Sequence, residues 1–236
     1  MNQLIKVSLS DFKLIFRDAS LRVFLFLPGL IYLLINLFLP WLVSRFGAVS
    51  EYVPYVLIVA TIETTQMFGF IYSMVFIDEK ETEVAKVYGV LPVSKVGFIL
   101  FRMIIPCLLT VLLTWILLII QPFYGLSLWA SLLFSILAGV IVPVYALGIS
   151  ILSKNKMEGM VWIKIFNIAV ILPVVAFFVP KTFSFLFGVF PTHWAFQGLN
   201  HLIEGSAFLW QAVSGFIYFI VLLVLTARKF SKVHFA

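Results

Sequence analysis

The stretch Met103–Gln121, MIIPCLLTVLLTWILLIIQ, carries no charge from end to end. A helix rises 1.5 Å per residue, so this run is about as long as the hydrocarbon layer of a bilayer is thick. Inside that layer every backbone N–H and C=O must be bonded within the chain, which makes a transmembrane helix its natural form. Working outward, five further apolar runs have the same character, at 23–43, 53–77, 129–152, 159–179 and 208–227.

Composition agrees. The chain of 236 residues is 63% hydrophobic and 11% charged, with mean hydropathy +1.16; soluble domains carry about 25% charged residues. Six spans of about 20 residues nearly exhaust the length, so the chain is expected to form one membrane domain over residues 1–236. The predicted fold is an all-α polytopic membrane protein. It has six spans, an amphipathic interfacial helix over 1–22 and a re-entrant segment over 180–207 before the last span.

Of the sixteen Lys and Arg residues, all but Arg45 and Lys181 fall on one side if the runs cross alternately. Basic loops stay cytoplasmic, so both termini are predicted in the cytoplasm; the expected location is a prokaryotic cytoplasmic membrane. The net charge of +6 is carried at span ends, where it suits lipid headgroups and not nucleic acid. Cys107, alone of its kind, lies in an apolar run and excludes an intrachain disulfide. No cleavable leader is predicted, because the first apolar run is long enough to span.

At the amino terminus Ile5, Leu9, Phe12, Phe16 and Ala19 recur at helical spacing, with Lys6, Lys13 and Arg17 on an adjacent flank. This pattern predicts a helix lying in the interface, apolar side down. The 78–98 loop holds the most charged run, Asp78-Glu79-Lys80-Glu81-Thr82-Glu83. Val84, Val87, Tyr88 and Leu91 follow at i, i+3, i+4 and i+7, an apolar stripe facing away from the charges. Pro92 ends that helix and Ser94 is placed to cap the next. A short amphipathic helix of this kind is shaped to dock in a groove on a soluble partner; a solvated charged turn is the alternative.

Residues 78–81, then Leu91-Pro92-Val93-Ser94 and Arg102, resemble the loop after the second span in type-2 ABC exporter permeases, closest to the fluoroquinolone-export branch. Asp11–Asp18 is similar to the start of that branch, and Phe190-Pro191-Thr192-His193-Trp194 resembles its element before the last span. Members often carry Gly-Thr shortly after the acidic residues, where this chain has Glu83-Val84. The resemblance implies a transmembrane permease subunit that moves a small amphipathic or hydrophobic substrate outward. It implies that Glu79, Lys80, Glu81, Glu83, Val84, Val87, Tyr88 and Leu91 form a coupling helix on a separate ATPase, present in two copies. That partner would bind ATP and Mg. A second permease, identical or related, would complete the assembly.

The chain is expected to be no enzyme and to hold no cofactor of its own. It has no Gly-Lys dipeptide, and a P-loop needs one to hold phosphates. Gly148-Ile149-Ser150 resembles the serine motif of an intramembrane protease, yet His193, His201 and His234 all lie outside the apolar runs, so no base is at hand. His201 and Glu204 offer at most two metal ligands.

Glu63 is a carboxylate near the middle of a span, a placement that costs about 2.5–3.5 kcal/mol. It should face an interior or a cavity, and with Thr64 and Gln66 it marks a candidate substrate pathway. A non-ATP-linked transport or assembly subunit using Glu63 as a proton site is the alternative. The Phe-rich segment before the last span suggests an outer gate of Phe190, Pro191, His193 and Trp194, with Thr192 capping a helix begun at Pro191. An aromatic belt is the other reading. The pairs Gly69/Ser73, Ser135/Gly139 and Ala146/Ser150 permit close helix packing without locating a dimer interface.

Overall fold

A computed structural model describes residues 11–89 and 94–235, all helix, turn and loop with no strand among the described residues. Six helices are long and apolar enough to cross a membrane: Leu21–Arg45, Gly47–Glu81, Lys95–Ile120, Leu128–Leu152, Lys156–Phe177 and Leu209–His234. They are called the first to sixth spans below. The second, third and sixth extend well past the apolar runs, because amphipathic flanks continue the helix once backbone bonding is under way. The third starts at Lys95, where the Ser94 hydroxyl accepts from Gly97 N at 3.4 Å, the cap that the sequence predicts. It bends at Met103, just before Pro106, whose missing N–H cannot serve the Arg102 carbonyl.

The first span is interrupted more heavily. Its helical pieces Leu27–Leu33 and Leu39–Arg45 each carry Pro near the start, and a π-helical turn, Leu34–Phe38, lies between them. The Tyr32 hydroxyl donates to the Leu113 carbonyl and so ties this span to the third.

The second and fourth spans form the centre. Of their most apolar stretches 78% and 72% are buried, against 17% for the first, fifth and sixth. Close approach is possible because glycines stand opposite larger side chains. A Cβ on Gly69 would lie 2.4 Å from Cδ1 of Tyr145, and one on Gly139 would lie 2.6 Å from Val111 Cγ2. The Thr65 hydroxyl donates to the Ala138 carbonyl at 3.0 Å. Ser73, Ser135, Ala146 and Ser150 are fully buried as well. All three small-residue pairs are therefore used inside this chain.

One end of the bundle gathers the helix of residues 11–17, residues 78–89, Lys95, the start of the fifth span and His234, and is called the basic end. In the described amino-terminal helix Asp11 and Ile15 are the buried positions, while Phe16 is about half exposed. Ile5, Lys6 and Leu9 lie outside the described residues.

At the far end the chain turns back into the bundle. Short helices Leu172–Phe177, Lys181–Ser184 and Phe185–Val189 lead to Pro191–Ile203. That helix runs antiparallel to the sixth span, as the pairing shows. Gly198 lies against Gln211 and Trp194 against Gly215, while the Tyr218 hydroxyl donates to the Val189 carbonyl at 2.6 Å. Tyr218 sits nine residues into its helix, so Val189 lies about 13 Å along the sixth span's axis from Leu209. Gly205, at φ 70, makes the turn that returns the chain to the sixth span.

Gly69→Ala should force the Tyr145 ring aside and destabilise the protein by about 1–3 kcal/mol, as overpacking does. Gly29, with nothing within 4 Å of its would-be Cβ, should accept Ala at no cost. Melting temperatures of the two variants in one detergent check this.

Candidate functional site

At the basic end one guanidinium gathers four segments. Arg102 is 1% exposed. Its Nε and Nη2 donate to the two carboxylate oxygens of Asp11 at 2.7 and 2.8 Å. Nη1 and Nη2 donate to Glu79 at 2.9 and 2.5 Å. His234 Nε2 lies 3.2 Å from Glu79 Oε2, and its ring stacks on Phe230 with centroids 4.4 Å apart. The rings of Phe76, Phe98 and Tyr88 surround the cation at 4.8, 5.5 and 5.6 Å. Burial pushes the Asp11 carboxyl above its usual range, against the pull of Arg102. Arginine suits this place because its planar fork can hold two carboxylates at once.

The acidic run next to it is divided by helix phase. Glu79 faces inward to Arg102, so it is not presented to a partner. Lys80 also turns in: its ammonium donates to the carbonyls of Ser150 and Ser153 at 2.6 and 2.8 Å, where a cation complements the end of the fourth span's helix. Asp78 pairs with Lys156, and Glu81 Oε1 accepts from Lys156 N at 2.8 Å, serving the start of the fifth span. These contacts fix the end of the second span against its neighbours.

What remains outward is the short helix Val84–Gly89. Val87 is 64% exposed and Val84 is exposed too, whereas Ala85 is buried and Tyr88 packs on Phe98 at 5.3 Å. The predicted stripe is thus split: Val84 and Val87 look out, and Tyr88 looks in. Glu83 and Lys86 form an exposed pair at 2.9 Å, and the ammonium holds the Glu83 carboxyl below its usual range. Leu91 lies outside the described residues. Glu83 has φ 61, the left-handed region that favours glycine. It stands where members of the resembled family often carry one.

Glu63 and Gln66 line a groove of about 300 Å³ between the first, second and fifth spans, together with Lys164 and Asn167. The groove is otherwise apolar. Gln66 Nε2 donates to the Asn167 carbonyl at 3.4 Å, and the Tyr145 hydroxyl donates to the Asn167 side chain. Glu63 is half-buried. Thr64 is buried away from the groove. A larger cavity of about 530 Å³ opens below it at the basic end, lined by Arg17, Asp18, Asp78 and Lys156 over an apolar floor. The two share Phe70 and Met160 as walls. Lys164 and Asn167 were not singled out from sequence, although the rule that marks Glu63, a charge within an apolar run, also marks Lys164. Arg102, Asp11 and His234 sit in three distant stretches, and no spacing connects them.

At the far end Thr192 does not cap its helix. Phe190 holds the N-cap position without a side-chain bond, and the Thr192 hydroxyl donates instead to the Val170 carbonyl at 2.8 Å, tying the helix to the fifth span. His193 is buried, not turned outward, and burial lowers its pKa. Trp194 Nε1 donates to the Gly188 carbonyl at 3.1 Å; Phe190 and Pro191 are half-buried. Ser150 is sealed in the core with its hydroxyl on the Ala146 carbonyl at 2.8 Å. Among the described residues no group of three His, Cys, Asp or Glu side chains could hold a metal ion.

Glu83→Gly should slow amide exchange across residues 82–89 and Glu83→Val should quicken it, since a β-branched residue is strained most at positive φ. Hydrogen-exchange mass spectrometry reads both.

No curated protein matches the chain. A family model described as "Fluoroquinolones export permease protein Rv2686c-like" matches residues 11–227. That range takes in the amino-terminal helix, all but the last turns of the six spans and the segment folded back before the sixth. The chain therefore belongs to the Rv2686c-like fluoroquinolone export permease family, as an integral membrane permease.

Proposed function

We propose that this chain is the transmembrane subunit of an ATP-driven ABC exporter, seated with both termini in the cytoplasm, and that the short helix Val84–Gly89 is its contact with a separate ATPase. The observation that carries the reading is the helix itself. Val84, Lys86 and Val87 project from the basic end, clear of the bundle, while the acidic residues before them brace the second span. The motif Gly-x-x-x-x-Gly-Lys-Ser/Thr has no counterpart here, so ATP and Mg belong to the partner. Two permeases with two ATPases form the working assembly, since six spans whose central pair pack on each other offer little wall for a route within one chain.

The substrate route follows the face shared by the second and fifth spans. It begins in the larger cavity, narrows at Phe70 and Met160, and passes into the groove that holds Glu63, Gln66, Lys164 and Asn167. An apolar groove with one carboxylate and one ammonium suits a small amphipathic molecule, and the family's printed description supplies the obvious probe, a fluorescent fluoroquinolone. On the far side the outer gate rests on Phe190, Pro191 and Trp194, with His193 as the buried support behind them.

Two measurements test the reading. Val84→Asp with Val87→Asp should abolish co-purification of the ATPase at unchanged permease yield, because both positions are exposed and neither supports the fold; undiminished co-purification would move the contact elsewhere. Glu63→Gln should cut fluoroquinolone-stimulated ATP hydrolysis in proteoliposomes about tenfold and leave the basal rate intact. If uptake in the wild type instead follows a proton gradient without ATP and is lost in this variant, the chain is a proton-linked transporter.

A further inference from the structure

The short helix Val84–Gly89 is not joined to the second span by a continuous backbone ladder. Thr82 and Glu83 interrupt it, with Glu83 at φ 61. Besides the two-residue link, its inward side chains, Ala85 and Tyr88, give movement of the helix a path into the bundle. The Tyr88 ring lies against Phe98 and 5.6 Å from the Arg102 guanidinium carbon. Arg102 in turn grips Asp11 and Glu79, and through Glu79 it reaches His234.

We infer that Arg102 is the positioning residue that carries displacement of the short helix to the amino-terminal helix and so to the first span. The inference rests on the reading of that helix as the ATPase contact. Asp11 and Ile15 are the buried positions of the helix of residues 11–17, and that helix leads directly into the first span. A planar guanidinium that fills one edge with each carboxylate fixes their mutual orientation, which a lysine cannot do. Buried ionic groups can often be replaced by apolar residues of similar volume with no loss of stability. A directional link between Asp11 and Glu79 has no such substitute. The aromatic wall of Phe76, Phe98 and Tyr88 keeps water from loosening it.

The test uses the full chain with its ATPase in proteoliposomes, on a Cys107→Ser background. Spin-label pairs report two distances: Lys86→Cys to Lys154→Cys for the short helix, and Lys13→Cys to Lys154→Cys for the amino-terminal helix; all three native residues are exposed. In the otherwise wild-type chain both distances should shift when ATP and vanadate are added. With Asp11→Leu, Glu79→Met and Arg102→Met together, the Lys86 distance should still shift and the Lys13 shift should vanish. A Lys13 shift of wild-type size in that variant overturns the inference. Should the triple variant not assemble, Tyr88→Leu leaves the ionic contacts in place and should at least halve the Lys13 shift, whereas Tyr88→Phe should preserve it. Equal shifts in Tyr88→Leu and wild type overturn the inference equally. If Lys86 itself does not move in the otherwise wild-type chain, the ATPase reading fails, and the role of Arg102 with it.

Discussion

The contact between the second and fourth spans governs the rest of the molecule. Between helices in a bilayer there is no hydrophobic force to be gained, so association depends on packing and on hydrogen bonds. Both are supplied here by small residues. Gly69 admits the Tyr145 ring, Thr65 reaches the Ala138 carbonyl, and the Ser150 hydroxyl lies 3.3 Å from the Ser73 carbonyl. The Tyr145 ring, once seated, presents its hydroxyl to Asn167 of the fifth span. Asn167 meets Gln66 in turn, so the polar side of the groove is set by how closely the two central helices approach.

Consequences follow for the outer helices. With the second and fourth spans occupied by each other, the first, fifth and sixth keep broad apolar faces outward. Apolar faces of this kind suit a hydrocarbon surrounding. The first span, with its two prolines and π-helical turn, is the least regular of the six, and it forms one wall of the groove through Phe24 and Leu27. The interruption has identifiable causes, since each proline removes a backbone donor from the helix.

The spans were legible in the sequence because each is long and predominantly apolar, even where Glu63 or Lys164 interrupts it, and the Ser94 cap because its side chain acts three residues away. The segment of residues 78–89 was legible only in part. Its charges and apolar residues mark an amphipathic helix, but which acid faces in depends on where the second span's helix stops, at Glu81 rather than Ile77. That extra turn rotates Glu79 onto Arg102 and removes it from the surface. Thr192 shows the same limit: a residue of capping type beside Pro191 found a better acceptor on a neighbouring span. Asp11, Arg102 and His234 come together only in three dimensions, so no local pattern announces them.

The placement of the ionic cluster also has a physical logic. At the centre of a bilayer a lone charge costs several kcal/mol, and in dry surroundings removing one partner of a buried pair is costly again. Arg102 stands seven residues into its helix, about 10 Å from Lys95 along the axis, where the amphipathic lead-in gives way to the apolar run. At that depth the cluster is dry enough for its bonds to be strong and close enough to the surface for the short helix to reach it through one aromatic ring. Deeper, the desolvation would outweigh the geometry; shallower, water would compete for the guanidinium and slacken the connection. The break at Met103, directly after Arg102, completes the arrangement: the lead-in helix ends at the cluster, and the apolar helix beyond it packs on the fourth span.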